Sequence, residues 1–300
     1  MAAVTDSPRT PPADAQQPGA PRGLAAARIA INGLARVAPP LSGLAALQLW
    51  RRPPGRVPVR TAERAVMARS RVSSVSHAGR DVVSYDWGDG VRPVLLVHGW
   101  GSRASRYAAV VQRLLDVGYS PVTYDAPGHG ATPGRAGTIL DHEQIIRALE
   151  RRHGRFAGVV AHSLGVPFAL YAAREGVAVD RVVAISGVCD FGHLVDSVCA
   201  VLRLHPAVNA PLRRAIERAY FDGDDGIWSR FSAERPAACD LLVVHDPADD
   251  VVDPHQAELL AVAYGTRASR LQTEGLGHNA ILRDADVIRS VVAFLDEAPA

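Results

Sequence analysis

The sequence has no lysine: all 33 of its basic residues are arginine. That absence excludes a P-loop lysine, a Schiff-base lysine and a Ser-Lys dyad. Cysteine is scarce as well. Cys189, Cys199 and Cys239 form no CxxC pair and no zinc-ligand spacing, so neither a disulfide framework nor a structural zinc is expected. No run reaches the roughly 20 uninterrupted apolar residues of a membrane span, and Arg28, Asn32 and Arg36 break up the nearest candidate. A compact basic region followed by an apolar stretch is also missing from the start of the chain, which argues against a secretory signal. What is there is 300 residues with 48% apolar and 21% charged side chains, enough for a sizeable core and for one large α/β domain with appendages.

The formal charge of +2 hides an uneven distribution. Residues 1–75 carry eleven arginines against Asp6, Asp14 and Glu63, a net +8, and the remainder is −6. Residues 1–23, rich in Pro, Ala and Gly, read as a disordered tail. Residues 24–71 read as a basic helical extension: one helix from Leu24 to Ala38, stopped by Pro39-Pro40, and a second from Leu41 to Trp50, ended at Arg51-Arg52-Pro53-Pro54. Two placements fit this arm, peripheral contact with an anionic membrane surface or folding back on the acidic body. The second is favoured slightly because Ala-rich helices bury little apolar area in lipid. The expected compartment is the cytoplasm, and no nucleic-acid partner is expected.

From Val72 the texture changes. Short apolar runs (82–87, 94–97, 121–124, 158–161, 182–185, 241–244 and 271–274) alternate with amphipathic stretches (106–117, 141–153, 166–175, 256–264 and 284–295). Asp141 and Gln144 stand at capping-box spacing. This alternation predicts an α/β fold with a mostly parallel, doubly wound sheet over residues 72–297. Between Ile185 and Leu241 no strand is predicted; helices over 194–203, 210–221 and 225–231 read as a cap, about 188–238, placed after a strand end where ligands bind in open α/β sheets.

The run Gly158-Val-Val-Ala-His-Ser-Leu-Gly ends a strand and opens a helix with Ser163 between small Ala161 and Gly165, as a tight nucleophile elbow requires. Downstream, an acidic turn follows the strand at 241–244, and Gly275-Leu-Gly-His then sets His278 in a Gly-rich loop. The order Ser, acid, His suits a nucleophile with a base and an orienting carboxylate. Upstream, Val94-Leu-Leu-Val-His-Gly-Trp-Gly can present the Trp100 N–H to an oxyanion together with that of Leu164.

At these blocks, and at Tyr124-Asp-Ala-Pro-Gly-His-Gly, the sequence resembles the α/β-hydrolase superfamily, and within it the serine hydrolases of the carboxylesterase and lipase type. The resemblance covers roughly residues 76–297. It implies Ser163 as nucleophile, His278 as general base, and Trp100 and Leu164 as oxyanion donors. The acid normally stands in a hydrophobic-Gly-x-x-Asp turn. Asp246 occupies the glycine position here, so Asp249 matches the acid, with Asp250 as its competitor. The expected activity is hydrolysis of small or medium uncharged esters with no cofactor and no metal. A thioesterase or an acyltransferase is the alternative on the same triad.

Other readings compete. Gly99-Trp-Gly101-Ser-Arg-Ala104, with Asp125 ending the next strand, fits a dinucleotide fingerprint, but bulky Trp100 would block the pyrophosphate and the downstream blocks would go unexplained. A non-catalytic hydrolase fold is disfavoured because all three triad residue types are present. Asp246, Asp249, Asp250 and Asp253 fail the EF-hand template. His98 and His129 read as braces of their glycine loops, His162 and His245 as packed strand ends, and His77, His142, His153, His193, His205 and His255 as surface residues.

Overall fold

A computed structural model describes residues 22–52 and 57–297. Of the tail expected to be disordered, 1–21 lie outside the described residues, and Arg22 and Gly23 already belong to a helix. Pro53 and Pro54, expected to end the second helix, also lie outside them.

Three helices come first, α1 (Arg22–Val37), α2 (Pro39–Trp50) and α3 (Thr61–Met67). Strands β1 (Arg71–His77), β2 (Arg80–Asp86) and β3 (Pro93–Val97) follow, then α4 (Ala108–Asp116), β4 (Ser120–Tyr124), α5 (Ile139–His153), β5 (Gly158–His162), α6 (Gly165–Arg174) and β6 (Arg181–Ile185). The cap contributes α7 (His193–Val201), α8 (Asn209–Tyr220) and α9 (Ile227–Arg230). The chain returns through β7 (Asp240–His245), α10 (His255–Tyr264), β8 (Ala268–Gln272), the single turn α11 (Gly277–Ala280) and α12 (Ala285–Asp296).

The eight strands form one sheet in the order β1-β2-β4-β3-β5-β6-β7-β8. β1 and β2, and β2 and β4, pair antiparallel, and every other pair is parallel. Strands β3 to β6 are buried along their whole length, because helices cover both faces. The two-residue repeat of a strand divides their side chains between two cores. Leu95 and Val97 face one, and Val94 and Leu96 face the other.

The sequence reading missed β1. Its Arg-Val-Ser-Ser-Val-Ser-His run is an edge with one buried residue, Val75, and shows no apolar run to detect. It also missed α3. The last strand lies three residues upstream of where it was placed, at Ala268–Gln272. Helix α5 begins at Ile139, and its cap is Thr138, whose Oγ1 accepts from Asp141 N while Asp141 Oδ2 accepts from Thr138 N at 2.6 Å, so the capping pair is Thr138 and Asp141.

The arm folds back over the cap and the body. α2 lies against α8 so closely that a Cβ at Gly43 would stand 2.3 Å from the Pro211 carbonyl oxygen, and Ala46 and Leu47 are buried in the contact. Asn32 of α1 accepts from the backbone N of His205 at 2.8 Å. In α3, buried Glu63 accepts from Ser105 Oγ at 2.6 Å and from Arg106, tying the arm to the start of α4. Among the described residues no helix is long and apolar enough to cross a membrane.

Candidate active site

Ser163 occupies the turn between β5 and α6 with φ of +56°, in the left-handed region that residues other than glycine rarely adopt. Its N–H donates to Ile185 O at 3.0 Å, and its carbonyl accepts from Val166 N at 3.1 Å, which fixes the turn on the neighbouring strand and the new helix. Two glycines make the approach possible. A Cβ at Gly165 would stand 2.2 Å from Val97 O, and one at Gly99 would stand 2.8 Å from Ser163 Cβ. Ala161, at the position usually glycine, is fully buried and small enough for the packed strand.

The turn after β3 abuts this elbow. His98 Nδ1–H donates to Gly99 O at 2.8 Å, and His98 Nε2 accepts from Ala126 N at 3.0 Å, so both ring nitrogens are used in bracing. The same planar trans peptide carries Gly99 C=O and Trp100 N–H, so holding the carbonyl sends the N–H the opposite way. Neither Trp100 N–H nor Leu164 N–H has an acceptor among the described residues.

His278 lies in α11 rather than in an open loop, and its Nδ1–H donates to Asp249 Oδ2 at 2.8 Å. The other oxygen, Asp249 Oδ1, accepts from the N–H groups of Val251 and Val252 at 2.9 Å each. Burial pushes Asp249 up, but the bond and charge of His278 and these two N–H groups outweigh it and pull the carboxyl down to about 2. Asp250, its competitor in the sequence, is exposed. Asp246, the residue in the family's glycine position, is fully buried; its Oδ2 accepts from Thr273 Oγ1 and Leu276 N at 2.8 Å each, clamping the turn after β7 to the segment that carries His278. A second clamp comes from His162, whose Nε2–H donates to the His278 carbonyl at 2.8 Å.

Ser163, His278, Trp100 and Leu164 line one cavity of about 390 Å³. Leu194, Val198 and Leu202 of the cap form part of its wall, as do Trp50 and Arg60 of the arm. A smaller annex of about 80 Å³ adjoins it and shares Trp50, Gly99, Trp100, Leu164 and Leu194. The annex takes Phe191, Tyr220, Phe221 and Trp228 from the cap. Sequence reasoning placed the cap residues over the pocket but gave the arm no part in it, because nothing in residues 24–71 matches the motif blocks.

Asp125, the acid of the dinucleotide reading, is fully buried and committed: it accepts from Ala104 N, Ala131 N and Tyr85 OH at 2.7–2.9 Å. No ribose can reach it. His142 is a correction to the surface reading. It is buried, hydrogen-bonded to Tyr124 OH at 2.7 Å and stacked on Phe168. His77, read as a surface residue, is largely covered and bonded to Asp141 at 2.6 Å. The three cysteines are buried and free, and burial pushes the Cys189 thiol up to about 12, which makes it inert.

Burial depresses six imidazoles, those of His98, His129, His142, His153, His162 and His245, with His129 brought down to about 4 and His162 to about 3. In the unfolded chain each takes up a proton near pH 6.5. Unfolding therefore binds protons between about pH 6.5 and 4, and the stability present above that window falls as the pH drops through it, by up to about 1.4 kcal/mol per pH unit for each histidine. Urea midpoints are expected to be clearly lower at pH 5 than at pH 7; equal midpoints would contradict neutral burial.

Residues 91–225 match the serine aminopeptidase S33 family. Over 102 residues the chain is 32% identical to a non-heme chloroperoxidase of Kitasatospora aureofaciens, a match spanning 33% of this chain and 37% of the chloroperoxidase. Among solved structures, an esterase of Pyrococcus furiosus superposes with a TM-score of 0.60 at 15% identity, covering 83% of this chain and 97% of the esterase. The monoacylglycerol lipase of Paleococcus ferrophilus gives 0.54 at 22% identity, over 71% of this chain and 98% of the lipase. At such identities the structural likeness is one of fold, and activity has to be argued from the site. Strand order, elbow and the partial sequence match agree: the chain has the α/β-hydrolase fold.

Proposed function

We propose that the chain is a serine hydrolase of small and medium uncharged carboxylic esters. Ser163 is the nucleophile, His278 the general base, Asp249 the acid that orients it, and the N–H groups of Trp100 and Leu164 hold the oxyanion. The observation that carries this reading is the 2.8 Å bond from His278 to a fully engaged Asp249, on a histidine that shares its cavity with strained Ser163. Because Asp249 holds Nδ1–H, the lone pair of His278 sits on Nε2, the nitrogen free to take the Ser163 proton. Ser163 Oγ then attacks the ester carbonyl, His278 returns the proton to the leaving alcohol, and water releases the acyl-enzyme by the same route. Each oxyanion donor contributes on the order of 10²–10³ in rate.

The wall of the Ser163 cavity also bears on substrate charge. Among the described residues no Asp or Glu side chain lines it, so nothing there would hold the α-ammonium of an aminopeptidase substrate. Arg106 is in the wall, but Glu63 pairs with it at 2.5 Å, and Arg60 stands 3.9 Å from the same carboxylate. The test is a chain-length series of p-nitrophenyl esters. kcat/KM is expected to rise by up to about fourfold per methylene, the equivalent of about 0.8 kcal/mol, over short chains and then to fall once the capped cavity is filled. A steady rise to palmitate would contradict an enclosed pocket, and no turnover of any ester would contradict the ester reading.

A further inference from the structure

The annex is not required by the triad, and three histidines stand in its wall, His98, His129 and His142. His98 uses both ring nitrogens, and His142 is bonded to Tyr124 OH. His129 differs. Its Nδ1–H donates to Pro127 O at 2.9 Å, and its Nε2 has no partner among the described residues, although the residue is only 5% exposed. A carbonyl only accepts, so the proton is on Nδ1 and Nε2 carries the lone pair. Burial, reinforced by neighbouring His98, keeps the ring neutral at physiological pH. A buried acceptor left without a donor is costly, and native structures rarely keep one without a reason. Trp100 Nε1, a donor in the same wall, is likewise buried and without a partner.

One unsatisfied acceptor, His129 Nε2, and two unsatisfied donors, Trp100 Nε1 and Arg51 Nε, call for a ligand group that can both donate and accept, which a hydroxyl does and an ether or an alkyl chain does not. Beside Thr138 and Tyr220, most of the remaining wall is apolar: Phe168, Phe191, Ile216 and Phe221 from the body and cap, and Leu47 and Trp50 from the arm. Its volume of about 80 Å³ is roughly half of the ~150 Å³ that admits a benzene ring, so it suits a chain of a few heavy atoms. We propose that the annex seats a short apolar chain of the substrate bearing a hydroxyl, with His129 Nε2 as the acceptor of its hydrogen bond and helix α2 of the arm as the outer wall. This rests on the ester reading and narrows it to esters hydroxylated on the acyl or the alcohol side.

The test compares kcat/KM of the full chain for two matched pairs. p-Nitrophenyl butyrate against p-nitrophenyl 3-hydroxybutyrate probes the acyl side, and butyl acetate against 4-hydroxybutyl acetate probes the alcohol side. In one pair the hydroxylated ester is expected to be preferred by about tenfold, and His129→Leu is expected to bring that ratio to about one whatever its overall rate. Ratios at or below one in both pairs for the unsubstituted protein, as a water resident on Nε2 would give, overturn the proposal; so does a preference that survives His129→Leu. Should the variant not fold, the two ratios of the unsubstituted protein decide alone. If neither class of ester is turned over, the ester reading fails by itself, and binding tests the annex through the fluorescence of Trp50, Trp100 and Trp228 in its wall. A Kd for 1-butanol about tenfold below that for methyl propyl ether of the same size supports the hydroxyl site, and equal values overturn it.

Discussion

Ser163→Ala is expected to lower kcat on a p-nitrophenyl ester by about 10⁵-fold while leaving KM nearly unchanged. In the proposed mechanism the hydroxyl makes the covalent bond and His278 and Asp249 act only through it, so its loss should remove the contribution of the whole unit. What should survive is the catalysis that the proposed oxyanion donors, the Trp100 and Leu164 N–H groups, and substrate binding would supply without a nucleophile. The backbone at residue 163 keeps its left-handed turn, since its N–H and carbonyl bonds to Ile185 and Val166 do not involve the side chain. The variant should therefore fold and bind, which separates lost chemistry from lost structure. More than about a tenth of the original rate in the purified variant would place the nucleophile elsewhere.

Asp249→Asn should cost about 10⁴-fold in kcat, and Asp250→Asn should change it by less than about twofold. Asp249 Oδ2 accepts the His278 Nδ1–H, whereas an amide can turn its NH₂ to that nitrogen and stabilise the tautomer with its lone pair on the wrong side. Asp250 is exposed. Side by side the two variants resolve what the sequence left open between neighbouring acids. Equal and small losses would mean that neither orients His278.

How much of this was legible depended on whether the physics was local. The central strands were, because Val94–Val97 and Val182–Ile185 are continuous apolar runs that only a sheet covered on both faces can bury. The elbow was legible too, since small residues on either side of Ser163 are a steric requirement that can be read two positions away. The resemblance already favoured Asp249 over Asp250 through the place of Asp246 in the turn; what it could not show is that Val251 N, Val252 N and His278 converge on that one carboxylate. Position 142 misled because Asp141, Glu143 and Gln144 surround it with polarity. Yet it lies three residues from both Ile139 and Ile145, on the helix face that also buries Ile146 and Leu149, and that periodicity was the signal to use. The part played by the arm in the pocket could not be read. Trp50 and Leu47 reach the cavities because Gly43 lets α2 sit on α8, a contact between segments some 170 residues apart that no local pattern encodes.

The central claim, that Ser163 is an activated nucleophile, is tested most directly by a fluorophosphonate probe with the labelled residue identified by mass spectrometry. One label per chain is expected, on Ser163, absent in Ser163→Ala and formed far more slowly in Asp249→Asn. Labelling of another residue, or an unlabelled Ser163 in protein that still turns over an ester, would contradict it.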